Sequence, residues 1–252
     1  MSGRDEMLGR IRKALGRPPS AIPAVPDSQA QFPKLEGVIV PIAPEERVPK
    51  FEEEFARVAG SPHRASSAAE LEDILRAIFE NSQVTSAVLT RNPLLAQLGL
   101  PAKLHAWGKS VGQWPAGPVS AAESAEEKAH RDQCFSAGAG ISGVDFVLAE
   151  TGSLVLSSQT EGSQLASLSP PIHLALYRRE QVLGSLDDVL EQIHPKGNYN
   201  ALAAGRSTVF ITGPSRTADI EQILIRGVHG PRNVHAILVE DSCLAELEAS
   251  RK

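Results

Sequence analysis

The stretch Gly143-Val144-Asp145-Phe146-Val147-Leu148-Ala149-Glu150-Thr151-Gly152-Ser153-Leu154-Val155-Leu156 contains two apolar runs separated by a polar break at residues 150–153. Runs of this length and composition predict two buried strands. The break places a carboxylate, hydroxyl groups and a flexible glycine at a strand end, which is where open α/β sheets usually bind ligands. A plain β-hairpin with a polar tip explains the same residues without any function.

The composition indicates an ordinary globular protein, because 42% of the 252 residues are hydrophobic and 22% are charged. The net charge of -5 argues against a nucleic-acid surface as the main function. No apolar run reaches membrane-spanning length, and the charged N-terminus lacks the apolar core of a signal peptide, so we expect a cytoplasmic protein. The two cysteines, Cys134 and Cys243, are too few for a disulfide framework or an iron–sulfur ligand set.

The sequence predicts two regions, an N-terminal helix and proline-rich arm at residues 1–49 and an α/β domain at residues 50–252. The helix is predicted over residues 5–15. The eight prolines that follow, ending with Pro49, predict an extended arm. The helix could pack on a partner, and a disordered tail is the alternative.

Amphipathic helices alternate with apolar strands through the second region, which predicts an α/β fold with a mostly parallel sheet flanked by helices. Helix starts are predicted at the capping residues Ser67, Asn92 and Ser185. Besides the central stretch, the predicted strands are residues 85–90, 102–107, 172–177, 208–212 and 235–239.

A second candidate site follows the predicted strand at 208–212. There Gly213-Pro214-Ser215-Arg216-Thr217-Ala218-Asp219 leads into a helix predicted over residues 220–226. A glycine turn between a strand and a helix start predicts a cradle for a phosphate or carboxylate, which Arg216 could hold bidentately. Ordinary helix capping by Thr217 or Asp219 is the alternative.

Other motifs are poor matches to cofactor sites. The segment around Lys109 lacks the first glycine of a phosphate loop. Residues 138–143 match G-x-G-x-x-G, but they follow a predicted helix and open a strand, the reverse of a dinucleotide-binding context. His130 and Cys134 are four residues apart on a predicted helix, and two such residues do not make a metal site. We therefore predict that this chain binds no metal and no cofactor.

Three blocks together resemble one family, the LUD domain of the lactate-utilization protein C family, in matching order and spacing from about residue 67 to residue 241. The N-terminal helix matches more loosely. The blocks are residues 143–153, residues 168–173 (Leu-Ser-Pro-Pro-Ile-His), and residues 213–221 together with residues 227–231 (Gly-Val-His-Gly-Pro).

The resemblance implies a fold similar to the ribose-5-phosphate isomerase, glucosamine-6-phosphate deaminase and CoA-transferase superfamily. It also implies a role in bacterial oxidation of L-lactate to pyruvate, beside two partner proteins, one class of which carries iron–sulfur clusters. This chain has neither a ferredoxin-like cysteine run nor a Cys-Cys-Gly motif, so it resembles the component without clusters. Enzymes of the superfamily use an acidic residue at a strand end, and Glu150 occupies the matching position in the local pattern.

Two hypotheses about function follow. In the first, the chain is a non-catalytic or assisting component of a lactate-oxidising iron–sulfur complex. In the second, it is an enzyme or sensor for a small anion, with Glu150 as base or nucleophile and His173 or His229 as a proton shuttle. Asp145 would orient Glu150 or bind a ligand hydroxyl. The ligand-binding residues predicted for this second role are Thr151, Gly152, Ser153, Gly213, Ser215, Arg216, Thr217, Asp219 and His229.

Overall fold

The computed structural model describes residues 3–14, 16, 41–115, 124–193, 207–218 and 224–249. The chain divides into two compact units, Met1–Val40 and Pro41–Lys252. In the first unit, helix α1 spans Gly3–Ala14 and agrees with the helix predicted there. Most of the predicted proline-rich arm, residues 17–40, lies outside the described residues.

The second unit contains the remaining elements. Its helices are α2 Pro44–Arg57, α3 Ala68–Asn81, α4 Pro93–Gln97, α5 Leu100–Ala106, α6 Ala125–Ser136, α7 Ser158–Glu161, α8 Leu165–Leu168, α9 Leu186–Ile193 and α10 Asp241–Ala249. Its strands are β1 Ser61–Ala65, β2 Ser86–Leu89, β3 Ser110–Gln113, β4 Ala139–Ser142, β5 Phe146–Leu148, β6 Ser153–Ser157, β7 Ile172–Tyr177, β8 Val182–Leu183, β9 Thr208–Ile211, β10 Arg216–Ala218, β11 Leu224–Arg226 and β12 Asn233–Val239.

Six strands form the main sheet in the order β1-β12-β7-β4-β2-β3, and every neighbouring pair is parallel. Apolar residues of α3, α4, α5 and α10 cover one face. Helix α2 and a second sheet, β8-β5-β6-β9, cover the other. The predicted α/β fold with a mostly parallel sheet flanked by helices is therefore confirmed.

The central stretch forms a β-hairpin in the second sheet, because β5 and β6 pair antiparallel with Phe146 opposite Val155. Side chains of both strands are buried on both faces. Val147 and Leu154 point toward the main sheet, whereas Leu148 and Val155 pack with Val189 of α9. This two-sided burial explains why the runs are almost continuously apolar.

Local capping signals are confirmed at three helix starts. Ser67, Asn92 and Ser185 each accept a hydrogen bond from a backbone N–H in the first turn that follows, at 3.1, 3.0 and 3.2 Å. Each such cap typically stabilises a helix by about 1 kcal/mol. Residues 44–49, predicted as the end of the proline-rich arm, instead form the start of helix α2. Proline suits the first turn at Pro44, and Val48 adds to the buried face.

Two predictions of element type were wrong. Residues 102–107 fall mainly in helix α5, where Leu100 and Leu104 are both fully buried one turn apart. The helix predicted over 220–226 is contradicted at its end, since β11 pairs with β10 as an antiparallel hairpin. Short apolar runs do not distinguish buried strands from buried helices, which explains both errors. Within the described part of the chain, no helix is both long and apolar enough to cross a membrane.

Gly140 provides a test of how closely α8 packs on the main sheet. A Cβ atom at Gly140 would lie 1.6 Å from the backbone oxygen of Ala166. We expect Gly140→Ala to lower the free energy of unfolding by about 3 kcal/mol or more, measured by urea denaturation. Gly138→Ala is the matched control, because the nearest atom to its Cβ would be a Val84 methyl carbon at 3.3 Å. Equal losses in the two variants would contradict this packing.

Candidate functional site

The main sheet has a topological switch point between β2 and β4. From β2 the chain continues outward to β3, whereas from β4 it continues in the opposite direction to β7. In open α/β sheets, ligands bind in the crevice outside the carboxyl ends of the strands at such a point. The polar residues that follow β2 and β4 therefore define the candidate site.

Glu161 joins the ends of these two strands. Its carboxylate accepts hydrogen bonds from the Thr90 hydroxyl at 2.5 Å and from the backbone N–H of Gly143 at 3.1 Å. The side-chain amide of Asn92 donates a third, short hydrogen bond to the other oxygen. Thr90 and Asn92 follow β2 and Gly143 follows β4, so one buried carboxyl connects both strand ends to α7.

The Glu161 carboxyl titrates near neutral pH. Burial raises its pKa to about 7, although hydrogen bonds from Thr90 and Asn92 oppose the shift. The nearby Asp145 carboxyl raises the pKa further, and the Gly143 N–H lowers it. A carboxyl with such a pKa can hold or release a proton under physiological conditions, as general acids and bases do.

The segment around α7 is held in place from several sides. The backbone N–H of Arg91 donates to the carbonyl of Glu161 at 3.2 Å. Gly162 has a φ of +80°, and a Cβ there would lie 2.5 Å from the Trp114 ring. Only glycine suits this backbone conformation and this close contact. Glu161 is thus positioned by its backbone as well as by its carboxylate.

A buried Ser–His pair links β4 to β7. The Ser142 hydroxyl and His173 Nε2 are 2.7 Å apart, and both side chains are fully buried. Burial lowers the pKa of His173 to about 3, with a smaller contribution from His235, so the imidazole is neutral. Its Nδ1 has no hydrogen-bond partner among the described residues. Ser142 precedes Gly143 directly, so the pair adjoins the Glu161 contacts.

Asp145, predicted as an orienting carboxylate, lies on the other side of α7. It accepts hydrogen bonds from the backbone N–H of Ser157 at 2.6 Å and from the Thr160 hydroxyl at 2.8 Å. Burial raises its pKa, and these hydrogen bonds act in the opposite direction. Asp145 and Glu161 therefore anchor the two sides of one short segment.

Glu150 lies in the turn of the central hairpin. Its carboxylate accepts the backbone N–H of Leu186 at 2.7 Å, where α9 begins. A carboxylate at a helix N-terminus is favourable without any ligand. Three hydroxyl groups form a chain after Glu150. Ser153 Oγ lies 2.8 Å from Thr151 Oγ1 and 2.7 Å from Thr212 Oγ1.

Several predicted ligand-binding residues meet at the end of α2. The Arg216 guanidinium donates to the carbonyl of Val58 at 2.5 Å. A Cβ at Gly213 would lie 2.6 Å from that same oxygen, and a Cβ at Gly152 would lie 2.4 Å from the backbone nitrogen of Phe55. The positive charge of Arg216 thus lies at the C-terminal end of α2, where the helix dipole is negative.

The other predicted residues are distributed around this loop. The backbone N–H of Ser215 donates to the carbonyl of Pro231 at 2.9 Å. Thr217 pairs with Ile225 in the β10–β11 hairpin, and the His229 side chain is exposed. Asp219 lies outside the described residues.

The residues that sequence reasoning missed are Glu161 and Ser142. Thr160, Glu161 and Gly162 follow the apolar strand β6. Glu150 shows the same sequence pattern, an acidic residue with threonine and glycine after an apolar strand. The burial of Glu161 and its contacts with residues about seventy positions earlier have no local sequence signal.

The His130–Cys134 pair is packed in the interior. Cys134 Sγ lies 3.5 Å from His130 Nδ1, and His130 Nε2 lies 3.1 Å from the carbonyl of Leu89. Burial raises the pKa of Cys134 to about 11 and lowers that of His130, so both groups are neutral at pH 7. In the described ranges, no group of three or more His, Cys, Asp or Glu residues is placed to hold a metal ion.

Comparison with known proteins identifies the family. Residues 48–239 of this chain match the model of the LUD domain family. The chain belongs to the LUD domain family. This match confirms the resemblance that the three sequence blocks indicated.

Relatives of this LUD-domain protein match it over most of its length. It is 27% identical to lactate utilization protein C of Oceanobacillus iheyensis, over 94% of this chain and 98% of that protein. It is also 27% identical to the uncharacterized protein YkgG of Escherichia coli, over 96% and 100% of the two chains. The crystal structure of a DUF162 family protein from Deinococcus radiodurans matches with a TM-score of 0.53 and 21% identity, covering 79% of this chain and 99% of that one. This structural likeness supports the fold.

The pKa of Glu161 predicts how stability depends on pH. Because folding raises the pKa from 4.5 to about 7, the folded state is favoured by protonation below pH 4.5, and this contribution is lost as the pH rises through 7. Between pH 4 and pH 8, we expect the free energy of unfolding to fall by about 3 kcal/mol more in the wild-type protein than in Glu161→Gln, measured by urea unfolding. The control is Glu126→Gln at an exposed position on α6, which should keep the wild-type slope of unfolding free energy against pH. An unchanged slope in Glu161→Gln would contradict the assignment.

The buried thiols predict low reactivity. Since the pKa of Cys134 is about 11 rather than 9.0, its thiolate fraction at pH 8 is about 100-fold lower than normal. Cys243 is also buried, and burial raises its pKa. We expect a disulfide reagent such as DTNB to modify both thiols only after unfolding in urea. The Cys243→Ser variant isolates Cys134, and rapid native modification of that variant would refute the prediction.

Proposed function

We propose that this LUD-domain protein is a component of a bacterial L-lactate utilization system, in which iron–sulfur partner proteins oxidise L-lactate to pyruvate. The observation that carries the proposal is end-to-end similarity to relatives named for lactate utilization. The chain covers 98% of the proteins of that name from Oceanobacillus iheyensis and Geobacillus thermodenitrificans. Similarity over nearly the whole length supports a shared role for the whole chain.

We assign the iron–sulfur clusters to the partners. Clusters of the common types are held by four cysteine thiolates, or by two cysteines and two histidines. This chain has two cysteines, and both are buried at separate places in the fold, Cys134 on α6 and Cys243 on α10. The chain would therefore assist or regulate the oxidation rather than carry its electrons.

A second candidate is an enzyme or sensor for a small ligand, and Glu161 is the observation that favours it. A buried carboxyl that titrates near pH 7 at the switch point has the position and the pKa of a proton-transfer group. In this role Glu161 exchanges a proton with the ligand. Glu150 stays the predicted base or nucleophile, and its carboxylate accepts a hydrogen bond from the first N–H of α9.

Deletion of the gene in its own host tests the first proposal. We expect the deletion strain to grow normally on glucose and to fail on L-lactate as the sole carbon source, with growth restored by the wild-type gene. The purified complex should contain iron and acid-labile sulfide that the isolated chain lacks. Growth of the deletion strain on L-lactate at the parental rate would refute the proposal.

Complementation with Glu161→Gln separates the two candidates. Restored growth favours an assembly role, because the variant lacks the titrating proton. Lost growth, with normal protein level and normal recovery of the partners, favours a proton-transfer role. The control is Glu126→Gln, which should restore growth in either case.

A further inference from the structure

Asp145 lines a small cavity between the second sheet and α9. The cavity volume is about 130 Å³, similar to an engineered cavity of about 150 Å³ that holds benzene. It therefore has room for a ligand of about six non-hydrogen atoms. The cavity is separate from the hydrogen bonds of Glu161, since none of Thr90, Asn92 and Gly143 lines it.

The cavity lining has a polar and an apolar side. Asp145 supplies a carboxylate, and Gln192 and Thr208 supply an amide and a hydroxyl. Phe146 and Ile193 belong to the apolar side. A ligand that matches both sides has a polar head and a short hydrocarbon part.

The lining of this cavity carries one carboxylate, and the Arg91 guanidinium donates to the backbone carbonyl of the lining residue Gln159 at 2.5 Å. In the described part of the chain, no lysine or arginine lines the cavity. Burial raises the pKa of Asp145. The second carboxyl nearby, Glu161, interacts unfavourably with Asp145. A half-buried carboxylate in this situation is stabilised by a cation and disfavours a carboxylate ligand.

Asp145 also retains capacity to accept further hydrogen bonds. A carboxylate has about four acceptor positions. The backbone N–H of Ser157 occupies one. The Thr160 hydroxyl lies 2.8 Å from both carboxylate oxygens but has one hydrogen to donate. The Ser157 hydroxyl is farther away, at 3.3 Å.

We propose that this cavity binds a primary ammonium group, with its nitrogen on the Asp145 carboxylate and its alkyl chain against Phe146. The Gln192 side-chain oxygen and the Thr208 hydroxyl accept the remaining ammonium hydrogens. Such a group comes either from a small free amine or from a lysine side chain of a partner protein. The inference goes beyond the proposed function, because lactate is an anion without an ammonium group.

The test measures thermal unfolding of the full chain at pH 7.5 and constant ionic strength. We expect propylammonium chloride to raise the midpoint saturably, by about 3 °C at ten times the dissociation constant. Propanol, sodium propionate and sodium chloride should not reproduce the effect, since they lack either the positive charge or the alkyl chain. Equal shifts with sodium chloride or propanol would overturn the proposal.

Three variants localise the effect. Asp145→Asn should abolish the propylammonium shift, whereas the exposed Asp73→Asn on α3 makes the same charge change elsewhere and should preserve it. If Asp145→Asn fails to fold, Gln192→Glu gives an independent answer, because Gln192 is exposed and the added carboxylate should tighten binding at least about threefold. Unchanged affinity in Gln192→Glu, or a retained shift in folded Asp145→Asn, would refute the proposal.

A further comparison distinguishes the two sources of the ammonium group. Nα-acetyl-lysine methylamide presents a lysine side chain without a free α-amine, and its Nε-acetylated form removes the charge. Stronger stabilisation by the lysine compound than by propylammonium indicates a partner's lysine. Stabilisation by propylammonium alone indicates a free amine. If neither compound stabilises the chain, the site is refuted, while the lactate growth experiment remains a separate test of the proposed function.

Discussion

The arrangement around the switch point depends on the Glu161 carboxyl. Its three donors belong to segments far apart in the chain, because Thr90 and Asn92 are 71 and 69 residues away and Gly143 is 18 residues away. All of these groups are buried or face the interior, so each donor would lose its partner without the carboxylate. One side chain therefore determines how the ends of β2 and β4 and the α7 segment fit together.

The fold was predictable where local signals agree with the tertiary structure. Ser67, Asn92 and Ser185 cap helices because a short polar side chain satisfies a nearby backbone N–H, an interaction complete within four residues. The element types at residues 102–107 and 224–226 were not predictable, because short apolar runs fit a buried helix or a buried strand equally well. Strand pairing and packing against other elements determine whether such a run is a helix or a strand, and neither can be read from the local sequence.

The candidate site was less predictable than the fold. Glu150 and Glu161 each follow an apolar strand and stand beside threonine and glycine, so they give the same local signal. Their difference is burial. The Glu150 carboxylate accepts a hydrogen bond at the N-terminus of α9. Glu161 is buried at the switch point, and this burial raises its pKa to about 7. The predicted Arg216 likewise has a role that only the structure reveals, since Val58 lies 158 residues earlier.

The last turn of α2 gives this protein a mechanical coupling. The loops at Gly152 and Gly213 both rest on it, and Arg216 is tied to the same Val58 carbonyl. Both loops lie in close contact with the helix, because a single methyl group at either glycine would collide with its backbone. A displacement of α2 by about 1 Å would thus move both loops in step, as packed interiors transmit strain rather than absorb it. The end of α2 therefore links the positions of the two loops.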